Sequence, residues 1–314
     1  MSAVRVEAGA RLHLGMLEVS AGGERRYGGL GVAIDRPAVI VEAEPAGELA
    51  AEGPDAGRAL GFARLAAAGF GLSGGARVRV LETLPAHAGL GSGTRLGLAV
   101  GRAVAALAGR EPEPAELARA VGRAERSAVG LWTFAGGGLV VEGGVRPGSG
   151  EPAPLLARHP VPAEWRCVLV VPAADPSLSG EAEGEAFEGL APAEADRDAP
   201  ISQLVLTRLL PALVEEDLEA FGAALTRLQE LVGAAFAPIQ GGAFHPRAAP
   251  VVEALLELGA AGAGQSSWGP AAYGVVGGES EGTRIAAALA ERLGPEDLVE
   301  VVAFDGRGAR VTES

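Results

Sequence analysis

The chain contains no lysine: all 26 basic side chains among its 314 residues are arginines. That absence excludes the common nucleotide P-loop, G-x-x-x-x-G-K-[ST], which places a lysine on the phosphates. Cysteine occurs once, as Cys167 in the apolar run WRCVLVV, so no internal disulfide forms. In that run the thiol reads as a packed strand residue in a reducing compartment. No H-x-x-x-H or C-x-x-C spacing exists, and a structural zinc site is not expected. Aromatic residues make up only 4 % of the chain. No window approaches the roughly 20 apolar residues of a membrane span. The opening MSAVRVEAGARLHLG lacks the apolar core of a signal peptide, so a cytoplasmic location is expected.

What is present is alanine, glycine and acid. Hydrophobic residues make up 48 %, ordinary for a globular protein, and 48 residues are glycine. The length suggests two domains. A formal charge of −14 argues against a general nucleic-acid binder. It leaves room for a phosphorylated ligand, because a local arginine cluster can set the field of one cleft.

The chain is organised around residues 85–100, PAHAGLGSGTRLGLAV. Leu96, Val100, Val104 and Leu107 recur at helical spacing. The glycines before them let a backbone approach a ligand closely. A helix starting there presents unpaired N–H groups and the positive end of its dipole. Gly89, Leu90, Gly91, Ser92, Gly93 and Thr94 are therefore candidates to cradle an anion, most often phosphate. The same pattern also makes a plain tight turn, and the residues alone leave both readings open.

Along the chain, strands are expected at 3–8, at VIVEAEP and at 76–85, and a helix at 55–69. After the glycine turn come a short helix near 115–127 and a strand at 139–142. Residues 146–163, rich in proline and glycine, read as a linker. The expected division is an N-terminal domain, 1–160, and a C-terminal domain, 161–314. In the second half, 167–171 reads as a strand and the acidic stretch 175–199 as a loop or lid. Helices follow near 201–214, 217–232 and 248–259. A turn at 262–278 then feeds a strand, and a helix and a strand close the chain. The alternation gives an α+β fold.

Arg11, Arg25, Arg26, Arg95, Arg123 and Arg126 lie near glycine turns, where a planar guanidinium suits phosphate oxygens. Singly, each also reads as a solvated surface charge. RRYGGLG, from Arg25, suits a ligand loop. His13, between Leu12 and Leu14, points away from the face those leucines share if the segment is extended. Gln265, Ser266, Ser267 and Trp268 form a polar turn that could seat an aromatic ring or a sugar, or simply cap a helix over a core Trp.

Taken together, these stretches resemble the GHMP kinase superfamily. PAHAGLGSGT is similar to its phosphate loop, RLHLG to its N-terminal motif and GAGQSSWGPAAYGV to its C-terminal glycine-rich motif. The resemblance implies an N-terminal domain with a left-handed βαβ crossover and a ferredoxin-like C-terminal domain. Three departures stand out. Gly93 and Thr94 replace a serine and an alanine of the phosphate loop. RSAVGLWTF lacks the aspartate that many of these kinases use, and the lysine partner of that aspartate is missing as well. A small-molecule kinase working by positioning alone is one reading.

A finer resemblance is to a branch that is not a kinase, the beta-ribofuranosylaminobenzene 5'-phosphate synthases. RLHLG, RRYGGLGVAID, GLGSGT, RS-x-x-G, PIQGG and GQSSWGP occur in the same order from residue 11 to residue 274. The branch joins phosphoribosyl pyrophosphate to 4-aminobenzoate or 4-hydroxybenzoate, releasing carbon dioxide and pyrophosphate, on the route to tetrahydromethanopterin. The resemblance implies Mg²⁺, no organic cofactor and a homodimer. In this reading residues 89–94 and Arg25 hold phosphate. Arg26, Arg126 and His13 are the catalytic candidates. Gln265, Ser266, Ser267, Trp268 and Arg11 line the aromatic or ribose site. Asp35 is the candidate metal ligand. No strong base is needed, because loss of carbon dioxide restores the ring.

Overall fold

A computed structural model of the protein describes residues 3–17, 24–173 and 195–313. The first strand, β1 (Val4–Met16), is longer than expected: RLHLG continues it instead of following it. Val4, Val6, Ala8, Leu12 and Leu14 alternate into the core. The whole of GLGVAIDRPAVIVEAEPA then forms a second long strand, β2 (Gly29–Ala46), antiparallel to β1. β3 (Ala50–Glu52), α1 (Ala56–Phe70) and β4 (Gly75–Glu82) follow, with β3 and β4 paired in parallel across the helix. Next come α2 (Ser92–Leu107), α3 (Pro114–Ala120) and α4 (Val129–Gly136). β5 (Leu139–Glu142) pairs with β2, and β6 (Leu155–His159) pairs with β5. β6 thus occupies part of the stretch expected to be linker.

α2 is the centre of this half. It is buried on nearly every side, between the sheet and the other helices, which explains its small residues. A Cβ at Gly97 would stand 3.1 Å from the Phe62 ring, and one at Gly101 2.6 Å from a Val121 methyl. Arg95 is an unexpected core residue, 1 % exposed. Its guanidinium donates to the carbonyls of Gly130 and Ala10 and to the Thr133 hydroxyl, at 3.0–3.3 Å. It ties α2 to α4 and β1 and does not belong to a ligand site.

The second half is built on β7 (Arg166–Val171), β8 (Gly262–Gln265), β9 (Ala272–Val276) and β10 (Leu298–Ala303). Their antiparallel order is β10-β7-β9-β8. α8 (Ala249–Glu257) and α9 (Glu279–Ala290) cover one face through Leu255, Ile285 and Leu289. The order β-α-β-β-α-β is that of a ferredoxin-like unit. Cys167 is fully buried in β7, where burial pushes its thiol well above the ordinary range. Of the expected acidic lid, residues 175–194 lie outside the described residues; residues 195–199 open α5 (Ala195–Leu204). A π-helical turn (Val205–Leu209) links α5 to α6 (Leu210–Val214). The end of the chain crosses the boundary expected at 160. β11 (Arg310–Glu313) returns to pair with β1, giving the first sheet the order β11-β1-β2-β4-β3.

The long helix α7 (Leu218–Gln240) bridges the two halves. It lies directly on the backbone of the strand β8, because Gly222 has no side chain there. A Cβ at Gly222 would come 2.1 Å from the Ala261 carbonyl oxygen. Gly222→Ala therefore sets helix propensity against packing. Propensity alone would stabilise the variant by about 1 kcal/mol. The clash is with rigid backbone, and we expect a net loss of about 2 kcal/mol in urea unfolding. A gain in stability would show that α7 does not rest where described.

Candidate functional site

The glycine turn leads straight into α2, whose N-cap, Gly91, has φ 81°; Gly89 has φ 86°. Both angles suit glycine and would strain other residues. The first N–H groups of α2, at Ser92, Gly93 and Thr94, have no intrahelical acceptor. No acidic residue occupies that first turn to satisfy the dipole. Leu90, by contrast, is buried and packs in the core, so it shapes the loop without facing a ligand.

Three arginines surround this turn. Arg11, on β1, donates to the Gly89 carbonyl and passes 3.1 Å from where a Gly91 Cβ would stand. Arg58 Nη2 lies 2.7 Å, and Arg123 Nη2 3.9 Å, from the corresponding point at Gly93. Arg123 stacks over the Phe62 ring at 4.7 Å, which fixes its plane. Burial chiefly, and the neighbouring Arg58, lower the pKa of Arg123 against the opposing pull of Glu125, while Arg58 itself pairs with Asp55 at 3.3 Å. Arg58 lies on α1, outside the stretches that the sequence motifs marked.

Beside the turn, which contributes Thr94 but not residues 89–93 to its lining, a cleft of about 300 Å³ opens between β1, the segment before α4, α7 and the β8–β9 turn. Arg11, His13, Thr94, Arg123, Arg126 and Ser127 line one side. Gln229, Phe236, Gln265, Ser267 and Trp268 line the other. Trp268 meets Phe236 edge to face at 4.6 Å, forming an apolar wall. Gln265 is held rigid: its side chain donates to the Ser267 carbonyl and accepts from His245 N–H at 2.6–2.7 Å. The Gln265 N–H in turn donates to Gln229 at 2.9 Å.

Several expected residues fall elsewhere. Ser266 is fully buried, with its hydroxyl accepting from His13 N–H and donating to the Gly89 carbonyl, so it fastens the loops together. Arg25 donates to the Gly144 carbonyl, and Arg26 pairs its backbone with Val145. Neither lines the cleft; the RRYGGLG loop contributes Tyr27 and Gly28 instead. Asp35 accepts from Ala303 N–H at 2.9 Å and so ties β2 to β10, outside the cleft. Among the described residues, no group of three or more His, Cys, Asp or Glu is placed to hold a metal.

Behind His13 lies a buried polar chain that the sequence did not reveal. His13 Nε2 is 3.3 Å from the Ser127 hydroxyl, which donates to Glu142 Oε1 at 3.2 Å. Glu142 also accepts from Ala128 N–H and Gly144 N–H. Burial pushes its carboxyl up to about 7, against these hydrogen bonds, which favour the ionised form. Burial, with Arg11 adding to it, holds His13 down at about 3, hence neutral.

The GHMP kinases N terminal domain matches residues 58–138, and the GHMP kinases C terminal domain matches 209–295. The beta-ribofuranosylphenol 5'-phosphate synthase of Methanothermobacter thermautotrophicus is 30 % identical, with 96 % of each chain covered. That of Archaeoglobus fulgidus is 34 % identical over 73 % of this chain and 76 % of its own. Among solved structures, a putative homoserine kinase from Listeria monocytogenes superposes with TM-score 0.73 at 16 % identity, covering 99 % of this chain and all of its own. A mevalonate kinase gives 0.69 at 15 %, covering 96 % and 98 %. These two bear on the fold alone.

Two outcomes test this geometry. Arg58→Gln and Arg123→Gln should each raise KM for a phosphorylated substrate by roughly 10-fold or more, as expected for one lost charge-assisted contact. Unchanged KM in both would place the anion elsewhere. The second outcome is a pH effect on stability. The folded pKa of Glu142 is raised, so its contribution is full below about 4.5 and lost as pH rises through about 7. Glu142→Gln should therefore flatten the pH dependence of urea unfolding across that window relative to the parent chain.

Proposed function

Because the chain belongs to the GHMP kinase superfamily and, within it, to the beta-ribofuranosylphenol 5'-phosphate synthase family, we propose that it condenses phosphoribosyl pyrophosphate with a 4-substituted benzoate. Carbon dioxide and pyrophosphate leave. The observation that carries this reading is the pairing, within one cleft, of Arg11, Arg123 and Thr94 at the start of α2 with a Trp268–Phe236 wall. One end suits polyphosphate, the other a flat ring. The relatives are named for a ribofuranosylphenol, the product of a 4-hydroxybenzoate acceptor; 4-aminobenzoate is the alternative.

In this scheme the bond from the anomeric carbon to the diphosphate oxygen breaks, and the electron pair departs with pyrophosphate. Arg58, Arg123 and the N–H groups of α2 take up the charge that grows on those oxygens. The ring carbon bearing the carboxylate then bonds to the anomeric carbon. The bond to the carboxylate breaks next, its electrons return to the ring, and carbon dioxide leaves. Arg126, at the rim, is positioned to hold the benzoate carboxylate until that step. Orientation in the cleft supplies much of the acceleration, and no strong base is required. Mg²⁺ belongs to the same proposal as an ion arriving with the diphosphate. Of the nearby carboxylates, Glu142 is already engaged by backbone N–H groups and Glu125 stands at the rim. A homodimer and a place in tetrahydromethanopterin synthesis complete the reading.

The test is incubation with phosphoribosyl pyrophosphate, Mg²⁺ and 4-hydroxybenzoate. Pyrophosphate and carbon dioxide should appear in equal amounts, and only when the benzoate is present. Formation of ADP from ATP with an alcohol acceptor, without pyrophosphate release, would replace this reading with a kinase.

A further inference from the structure

The chain of hydrogen bonds from Glu142 to His13 is closed at every point but one. Backbone N–H groups can only donate. Gly144 N–H is 2.7 Å from Glu142 Oε2, and Ala128 N–H is 3.3 Å from Oε1. Val129 N–H is 3.3 Å from the Ser127 hydroxyl oxygen. Three donors are therefore fixed. The remaining choice is where the single hydroxyl proton of Ser127 goes, and two arrangements satisfy every group.

With Glu142 ionised, Ser127 donates to Oε1. Its oxygen then accepts from Val129 N–H and needs a second donor, which is His13 Nε2–H. Nδ1 is left as a bare acceptor on a ring that lines the cleft. With Glu142 protonated, the carboxyl donates to Ser127, whose proton turns to His13 Nε2. The imidazole must then carry its proton on Nδ1. The ring stays neutral in both states, in keeping with its burial.

We propose that Glu142 is a positioning residue that, through Ser127, sets the tautomer of His13, so that in the ionised state Nδ1 accepts a hydrogen bond from a substrate O–H or N–H. The hydrogen bond could come from the para group of the benzoate or from a ribose hydroxyl; the chemistry is the same. The inference names a further residue for the reaction proposed above and, in its substrate-facing part, rests on that reading. The segments packed around Glu142 carry other charged and titratable groups. These include Arg11 on β1, Arg25, Arg26 and Tyr27 before β2, Glu125 and Arg126 before α4, and Arg158 and His159 on β6. None of them is interposed between Glu142, Ser127 and His13.

The test begins with ¹⁵N-histidine NMR, which needs no activity. The chain has 4 histidines, and a His13→Asn variant assigns the resonance. The parent protein should show His13 changing from Nδ1–H to Nε2–H as pH rises through about 7. Glu142→Gln, whose amide N–H donates towards Ser127, should hold His13 as Nδ1–H at every pH. A His13 tautomer that ignores both pH and the substitution would overturn the proposal. Ser127→Ala serves as the second variant should Glu142→Gln fail to fold; it should uncouple His13 from pH.

Kinetics supply the second readout. In the parent enzyme kcat/KM should rise with pH along a limb near 7, and Glu142→Gln should remove that limb while lowering kcat/KM about tenfold. A rise in KM for the benzoate alone assigns the hydrogen bond to the para group; a rise for the donor alone assigns it to the ribose. A parent chain inactive with these substrates, but with a pH-switched His13, would sink the functional reading while supporting the tautomer control.

Discussion

Two loops of this protein meet backbone against backbone, with no room for a side chain between them. A Cβ on Gly89 would stand 2.1 Å from the Ser266 carbonyl oxygen, and one on Gly269 2.2 Å from that of Ala88. Hydrogen bonds lock the contact: Ala271 N–H donates to Ala88 at 3.2 Å and the Ser266 hydroxyl to Gly89 at 2.8 Å. Ser266 also receives the N–H of His13, so β1 is drawn into the same seam. The cleft exists because of this contact. It sets the start of α2 beside the β8–β9 turn and thereby puts Thr94 and Trp268 on the walls of one cleft.

The electrostatics follow from that placement. The chain as a whole is acidic, at −14, yet Arg11, Arg58 and Arg123 converge on one helix start. Guanidinium groups this close repel each other; Asp55, 3.3 Å from Arg58, offsets part of that repulsion, and an anion between them would offset more. Arginine also suits the place better than lysine would. Its planar fork stacks on Phe62 and offers paired donors, while the buried Arg95 satisfies three acceptors at once. A chain without lysine has thus used one basic side chain both as core strut, at Arg95, and as lining of the cleft, at Arg11, Arg123 and Arg126.

The polar chain behind His13 belongs to a different regime. Glu142 is fully buried while Ser127 and His13 are half-buried at the cleft wall, so the chain's hydrogen bonds strengthen towards the Glu142 end. Its fixed backbone donors leave it with two alternative proton arrangements and little else. Such a chain can hold a ring in one orientation while changing what that ring offers the cleft.

Much of the architecture was legible in the residues. Helical spacing at Leu96, Val100, Val104 and Leu107 marked α2, and the apolar run at Cys167 marked β7. The strand within the stretch expected to be linker is not legible because LLARH is an edge strand with its two leucines adjacent rather than alternating, and Leu156 is exposed. At the cleft, Thr94, Arg11, His13, Arg126, Gln265, Ser267 and Trp268 were all marked by local motifs, whereas residues 89–93 of the glycine turn do not line it. Arg25, Arg26 and Asp35 looked equally promising and lie outside the cleft, since charge near glycine is a local property and reach into a cleft is not. The sequence by itself determined where backbone could approach a ligand, because a missing Cβ is written in the residue type. Only the tertiary structure decided which side chains serve that backbone. Arg58, Ser127 and Glu142 arrive from separate elements, and whether they meet depends on how α1, α4 and β5 pack around α2 and β1.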